Sequence, residues 1–157
     1  MDRFSKILQE PDERLRKISQ PIVEFNEAKQ IGQELITLMY SLDHRYAIWF
    51  GFAAPQIGYN KRLITLHKRY HRYTVMVNPE IIKRKWLVPV PTRCFSVKKL
   101  TERYLVKYPI WMKVKYKDLE GNFHIKTMWA GRAAVMQQEI DHINGILISD
   151  IGKHLSW

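Results

Sequence analysis

Gln137-Gln138-Glu139-Ile140-Asp141-His142 lies near the end of the chain, and its reading decides how the rest is understood. The surrounding residues predict one helix from about Arg132 to Ile143, with Met136, Ile140 and Ile143 as its apolar row. Asn144-Gly145 follows where a glycine would end that helix. Positions four apart share a helix face, so Gln138 and His142 point the same way with Glu139 beside them. The pattern is close to H-E-x-x-H, in which two histidines hold a metal and the glutamate moves protons. Gln138 stands where the first of those histidines belongs.

A chain of 157 residues is long enough for one domain with a real core, taken as residues 1–157. No apolar run approaches the roughly 18 residues that a membrane span needs, and no signal-peptide stretch opens the sequence. Cys94 is the single cysteine, which excludes an internal disulfide and suits a reducing, cytoplasmic setting. The formal net charge of +11 favours a polyanionic partner such as RNA or an anionic membrane surface. No nucleic-acid-binding motif accompanies that charge, and a solvated lysine surface is the plain alternative.

Outward from the late helix, Ile31, Leu35, Leu38, Met39 and Leu42 predict an amphipathic helix from about Glu27 to Leu42, with Asn26 able to cap it. Trp49 to Gly58 reads as a loop with close backbone approach, and its Gln56 by default as a solvated amide. Leu63 to Leu66 and Tyr73 to Val77 are strand-like, joined by a basic turn whose His67 and His71 read as surface residues rather than ligands. Asn78-Pro79-Glu80 is expected to end that hairpin. Ile81 to Leu87 is a further strand, after which Pro89 and Pro91 are expected to break regular structure. Cys94 to Val97 looks short and β-like. Met112, Val114 and Tyr116 alternate as a half-buried strand, and Phe123 to Met128 returns as its partner after the turn at Asp118 to Asn122. The tail from Lys153 carries no assigned role. Helix, antiparallel strands and a late helix make an α+β domain rather than a βαβ winding.

Pro11-Asp12-Glu13-Arg14-Leu15-Arg16, Gly51 to Gly58, Asn78-Pro79-Glu80, Cys94 to Val97 and Gln137 to Gly145 together resemble the peptide deformylase family, in its order and at about its spacings. The likeness runs from about Phe4 to Asp150. It implies an α+β fold with antiparallel sheets around the central C-terminal helix that carries the Gln-Glu-Ile-Asp-His stretch. It implies a metallohydrolase that removes the formyl group from N-formylmethionyl ends of nascent polypeptides. The family's cofactor is one divalent metal, usually iron(II), with zinc or nickel able to replace it. Carried over, the ligand positions fall on Cys94, Gln138 and His142. Glu139 takes the acid/base position. Gln56, with the backbone N–H of Phe95, takes the position that binds the carbonyl oxygen. Phe50 and Gly51 fall among the groove-lining positions for the N-formylmethionyl peptide. A bacterial-type cytoplasm is implied, with organelle and phage origins left open.

The chain also departs from the family pattern. Gln138 replaces an imidazole, Trp49 replaces the first of two loop glycines, Thr92-Arg93 replaces Glu-Gly ahead of Cys94, and Lys98 replaces a proline. An amide oxygen suits a transition metal less well than imidazole does, so metal affinity is expected to fall. Two functions stay open. One is a deformylase with an impaired metal site. The other is an inactive homologue that binds formyl-Met or nascent peptide, or the ribosome, without turnover.

Overall fold

The computed structural model describes residues 4–42, 50–68 and 70–156. Trp49 lies outside the described residues. A helix α1 (Phe25–Leu42) precedes strands β1 (Gly51–Ala53) and β2 (Leu63–Lys68). The long β3 (Arg72–Thr92), β4 (Arg103–Lys117) and β5 (Phe123–Trp129) follow, and then α2 (Ala130–Ile143). A short α3 (Ile148–Ile151) and β6 (Lys153–Leu155) close the chain. The strands form one six-stranded antiparallel sheet in the order β1-β2-β3-β4-β5, with β6 added to β4. The expected α+β class is what is found, as a single sheet rather than several.

Both helices fall where the apolar spacing placed them, starting about two residues early. Their buried faces divide the sheet between them. α1 packs Ile31, Leu35 and Met39 with Leu63, Val75 and Val77. α2 packs Met136, Ile140 and Ile143 with Ile64, Met76 and Met112. Successive side chains on a strand face opposite ways, so the two helices cover opposite faces. Each fully buried Leu, Ile or Met contributes about 1.5–3 kcal/mol of hydrophobic stabilisation, which anchors α2 against the sheet.

Several local expectations are corrected. Asn26 is inside α1, and the Glu24 carbonyl instead accepts the first N–H groups, from Glu27 and Ala28. Asn78 does not end a strand. Its Oδ1 accepts from the Ile22 N–H and its Nδ2 donates to the Ile22 carbonyl, while β3 continues past it through an irregularity. Pro89 and Pro91 lie within β3, opposite Lys107 and Leu105. Beyond Val77, β3 has β4 as its one strand neighbour among the described residues, so a residue without an N–H is tolerated on its other side. Cys94 to Val97 is a turn, in which Val97 N–H donates to the Cys94 carbonyl at 3.1 Å. The tail does have a role, since Lys153 and Leu155 pair with Leu105 and Arg103. His71 is exposed as expected, whereas His67 is half-buried and stacks on Phe50 at 5.4 Å. No helix is long and apolar enough to cross a membrane among the described residues.

The β4–β5 turn is held by Asp118. Its Oδ1 accepts from the N–H groups of Glu120 and Asn122, each at 2.9 Å, and its Oδ2 lies 2.7 Å from His124 Nε2. The His124 contact first, then the Asn122 and Glu120 donors, lower its pKa to about 2. A depressed carboxylate contributes stability above its ordinary value of 3.8, and that contribution is lost as pH falls through the folded value. Asp118→Asn should therefore lower Tm relative to the parent chain at pH 7, with the gap closing as pH falls from about 4 to about 2. Thermal unfolding across that window checks this, and a gap independent of pH would contradict it.

Candidate active site

α2 carries polar side chains on faces that the fold buries: Gln137, Glu139, Asp141 and His142 are all nearly inaccessible. Buried polar groups cost free energy unless they are partnered or used, so such a helix marks a site. The turn after β3 brings Cys94, 1% exposed, against the helix, with its Sγ 3.3 Å from His142 Nε2. Gln56 is not a solvated loop amide. It sits in the 3₁₀ turn Ala54–Ile57 and is 1% exposed. Its Oε1 accepts from the Ala53 N–H at 2.9 Å, and its Nε2 donates to Ser96 Oγ at 3.2 Å and lies 4.0 Å from Cys94 Sγ.

Gln138 shares the face of His142, as the helical period requires, and its amide is held by Thr92 and Arg93 while also lying within hydrogen-bonding reach of the Cys94 thiol. Its Oε1 accepts from Thr92 Oγ1 at 3.0 Å and its Nε2 donates to the Arg93 carbonyl at 3.2 Å. Glu139 is wholly buried beside Gly51, where an added Cβ would lie 2.7 Å from Glu139 Cγ and 2.8 Å from Leu66 Cδ2. Gly51 is thus required by close approach: the carboxylate side chain occupies the space a larger residue would take. Phe95 packs its ring on Phe52 and Phe50 with centroids at 4.9 and 6.1 Å, and its carbonyl accepts from Gln9 Nε2. Phe50, Gly51, Thr92, Phe95, Gln138 and Glu139 are among the residues that line a cleft of about 500 Å³.

The electrostatics of this pocket push every group toward its neutral form. Burial raises the Cys94 thiol to about 12, opposed by a hydrogen bond from the Ser96 backbone. Burial alone lowers His142 to about 4. Burial, then the charge of Asp141, raises Glu139 well above the usual carboxylate range. Asp141 rises to about 6 by burial, opposed by the hydrogen bond that it accepts from Gln137 at 2.9 Å. Neutralisation is how a protein accommodates ionisable groups taken out of water without a counter-charge.

Glu139 Oε2, His142 Nδ1 and Tyr108 Oη are buried with no hydrogen-bond partner among the described residues. The thiol and the imidazole Nε2, with the orphaned Glu139 carboxylate near enough to act on Cys94, bring together donors of the kind a cation takes, whereas His142 Nδ1 lies on the far edge of its ring. The third donor position does not match that design. Among the described residues, no set of three His, Cys, Asp or Glu side chains gathers to hold a metal ion.

Cys94, His142, Gln56, Glu139, Gln138, Phe95, Phe50 and Gly51 are thus all brought to one locality. Two supports were missed in the sequence. Arg84 Nη1 donates to Gln137 Oε1 at 2.9 Å and so joins the chain that reaches Asp141. Period two in Lys83-Arg84-Lys85 sets Arg84 apart from its neighbours and could have flagged it. Tyr108, buried near Asp141, Cys94 and Glu139, gave no signal beyond alternation in β4.

Comparison with known proteins agrees with this architecture. The family model described as polypeptide deformylase matches residues 4–156. A peptide deformylase from Desulfotalea psychrophila is 35% identical over 157 residues, covering 96% of this chain and 87% of that protein. The crystal structure of a peptide deformylase from Legionella pneumophila superposes with a TM-score of 0.83 at 34% identity, covering 96% of this chain and 85% of that one. One from Synechococcus elongatus, in complex with actinonin, also gives 0.83, at 29% identity, over 94% and 78% of the two chains. This chain belongs to the polypeptide deformylase family.

Proposed function

We propose that the protein is a peptide-deformylase-like hydrolase with an impaired metal site, acting on N-formylmethionyl ends of nascent polypeptides. The observation that carries this reading is the buried contact of Cys94 Sγ with His142 Nε2 at 3.3 Å, beside an amide already bonded to Thr92 and Arg93. The thiol and imidazole fit a divalent cation, and Gln138 would have to leave those bonds to add its oxygen. When bound there, iron(II), zinc or nickel supplies the Lewis acidity that brings a water's pKa toward neutrality.

The chain's own groups do the rest. Glu139, whose pKa burial and then the charge of Asp141 raise well above the usual carboxylate range, receives the proton of the attacking water and passes it to the leaving amine. Gln56 Nε2 and the Phe95 N–H stabilise the charge that develops on the formyl oxygen. Phe50 and Gly51 line the cleft that receives the peptide end.

The two bonds that hold Gln138 favour a second reading, a homologue that keeps the cleft and binds formyl-Met peptide without turnover. Metal analysis of anaerobically purified protein separates the two. The first reading expects substoichiometric iron, nickel or zinc, and slow formyl-Met-Ala-Ser hydrolysis that rises when metal is added. Less than about a tenth of an equivalent, with no hydrolysis at saturating metal, leaves only the binder.

A further inference from the structure

The face that α1 covers over β1–β3 runs on, uncovered, across β4, β5 and the far half of β3. The register sets what stands there. Lys85, Trp111 and Trp129 form one row, Lys83 and Lys113 the next, then Lys115 with Ile125 and Lys117 with Phe123. Trp86 joins the first row, its ring stacked on Trp129 at 6.4 Å, while Trp111 meets Trp129 edge-on at 6.3 Å. Lys85 Nζ lies 5.6 and 5.3 Å from the Trp86 and Trp111 rings, and Lys117 Nζ lies 4.7 Å from Phe123. Trp86 and Trp129 are 57% and 58% exposed, too much indole in water for a face without a partner. Glu80, paired with Lys115 at 3.1 Å, is the acid that these rows contain.

We propose that this bare aromatic and cationic face binds single-stranded nucleic acid. Such a strand presents a flat π face and a phosphate at every repeat, and both chemistries are met here, by the indoles gathered in the first row and the lysines that run through all four. The rings lie within a sheet rather than projecting from a loop or helix, which suits stacking and not insertion among lipid tails. From Trp129 to Phe123 the strand spans about 20 Å, room for several nucleotides. The chain's charge of +11 would steer the strand to this face.

The test uses the whole chain and a fluorescein-labelled oligouridylate, read by anisotropy at several salt concentrations. With Lys83, Lys85, Lys113 and Lys117 on phosphates, log affinity should fall with log salt at a slope of about −3. Lys83→Glu with Lys113→Glu should weaken binding by at least about tenfold and flatten the slope by about 1.4. Trp129→Ala should weaken it about tenfold and leave the slope unchanged, a split that a structural role would not produce. If the double variant fails a circular-dichroism check, Lys113→Gln alone should remove about 0.7 of slope. No binding at low salt would overturn the proposal. So would binding indifferent to these variants, or binding to phosphatidylserine vesicles but not to the oligonucleotide. Trp129 also borders a cavity that shares Phe50 and Val135 with the cleft beside α2, so the lysine variants, which border neither, keep this test separate from that site.

Discussion

Gln138→His is expected to bring bound metal close to one equivalent and to raise formyl-Met-Ala-Ser turnover by at least about 100-fold, the upper range that even an outer-sphere partner contributes. The helical period already aims position 138 at the His142 face, and Cys94 and His142 already stand 3.3 Å apart. An imidazole would add the borderline nitrogen donor that a tetrahedral site prefers over an amide oxygen. The change gives up the Thr92 and Arg93 hydrogen bonds, at about 1 kcal/mol each, which is small beside the metal contribution. Metal content and turnover should rise together in the same preparation. Metal gained without turnover would place the defect in substrate handling, at Thr92-Arg93 or at Trp49. Gain of neither would sink the impaired-site reading.

Gly145→Ala should destabilise the fold by about 3 kcal/mol, a fall in Tm of about 10 °C for a domain of this size. α2 ends in a Schellman motif: Ile146 N–H donates to the Asp141 carbonyl at 2.9 Å and Gly145 N–H to the His142 carbonyl at 3.1 Å. Gly145 has φ +75, and a Cβ there would meet the Arg16 carbonyl oxygen at 2.4 Å. The left-handed conformation costs an alanine about 1–2 kcal/mol, and the contact is with backbone, which cannot swing away. Arg16 belongs to the 3₁₀ turn that seats Leu15 in the same cluster as Cys94, so the clash reaches the site as well as the stability. Gly121→Ala is the control. It also has positive φ, but its Cβ would lie 3.5 Å from the Phe25 ring, and it should cost only about 1–2 kcal/mol. Equal losses in the two variants would show that the contact with Arg16 is unimportant.

Much of this was legible in the residues. The helices were visible because their apolar spacing is long and regular, and α2 was delimited by Gly145. The β4–β5 hairpin was visible because Met112, Val114 and Tyr116 alternate on either side of a polar turn. The site's composition was legible through resemblance, since Cys94 and His142 are 48 positions apart and nothing local joins them. The misreadings share a cause. Pro89 and Pro91 look like breakers until one knows that β3 has a single strand neighbour at that point among the described residues. Gln56 looks solvated until the turn after β3 closes over it with Ser96. Lys153 to Leu155 is too short and polar to announce a strand, and only β4 makes it one. In each case the deciding partner is remote in sequence.

Those prolines have a consequence for the protein in a crowded solution. A long strand with amides facing outward is a template on which a second copy can zip up, and repetition of that contact starts a fibril. Without N–H groups at 89 and 91, that margin cannot offer a newcomer the regular ladder it needs, so the chain should resist aggregating through it at high concentration.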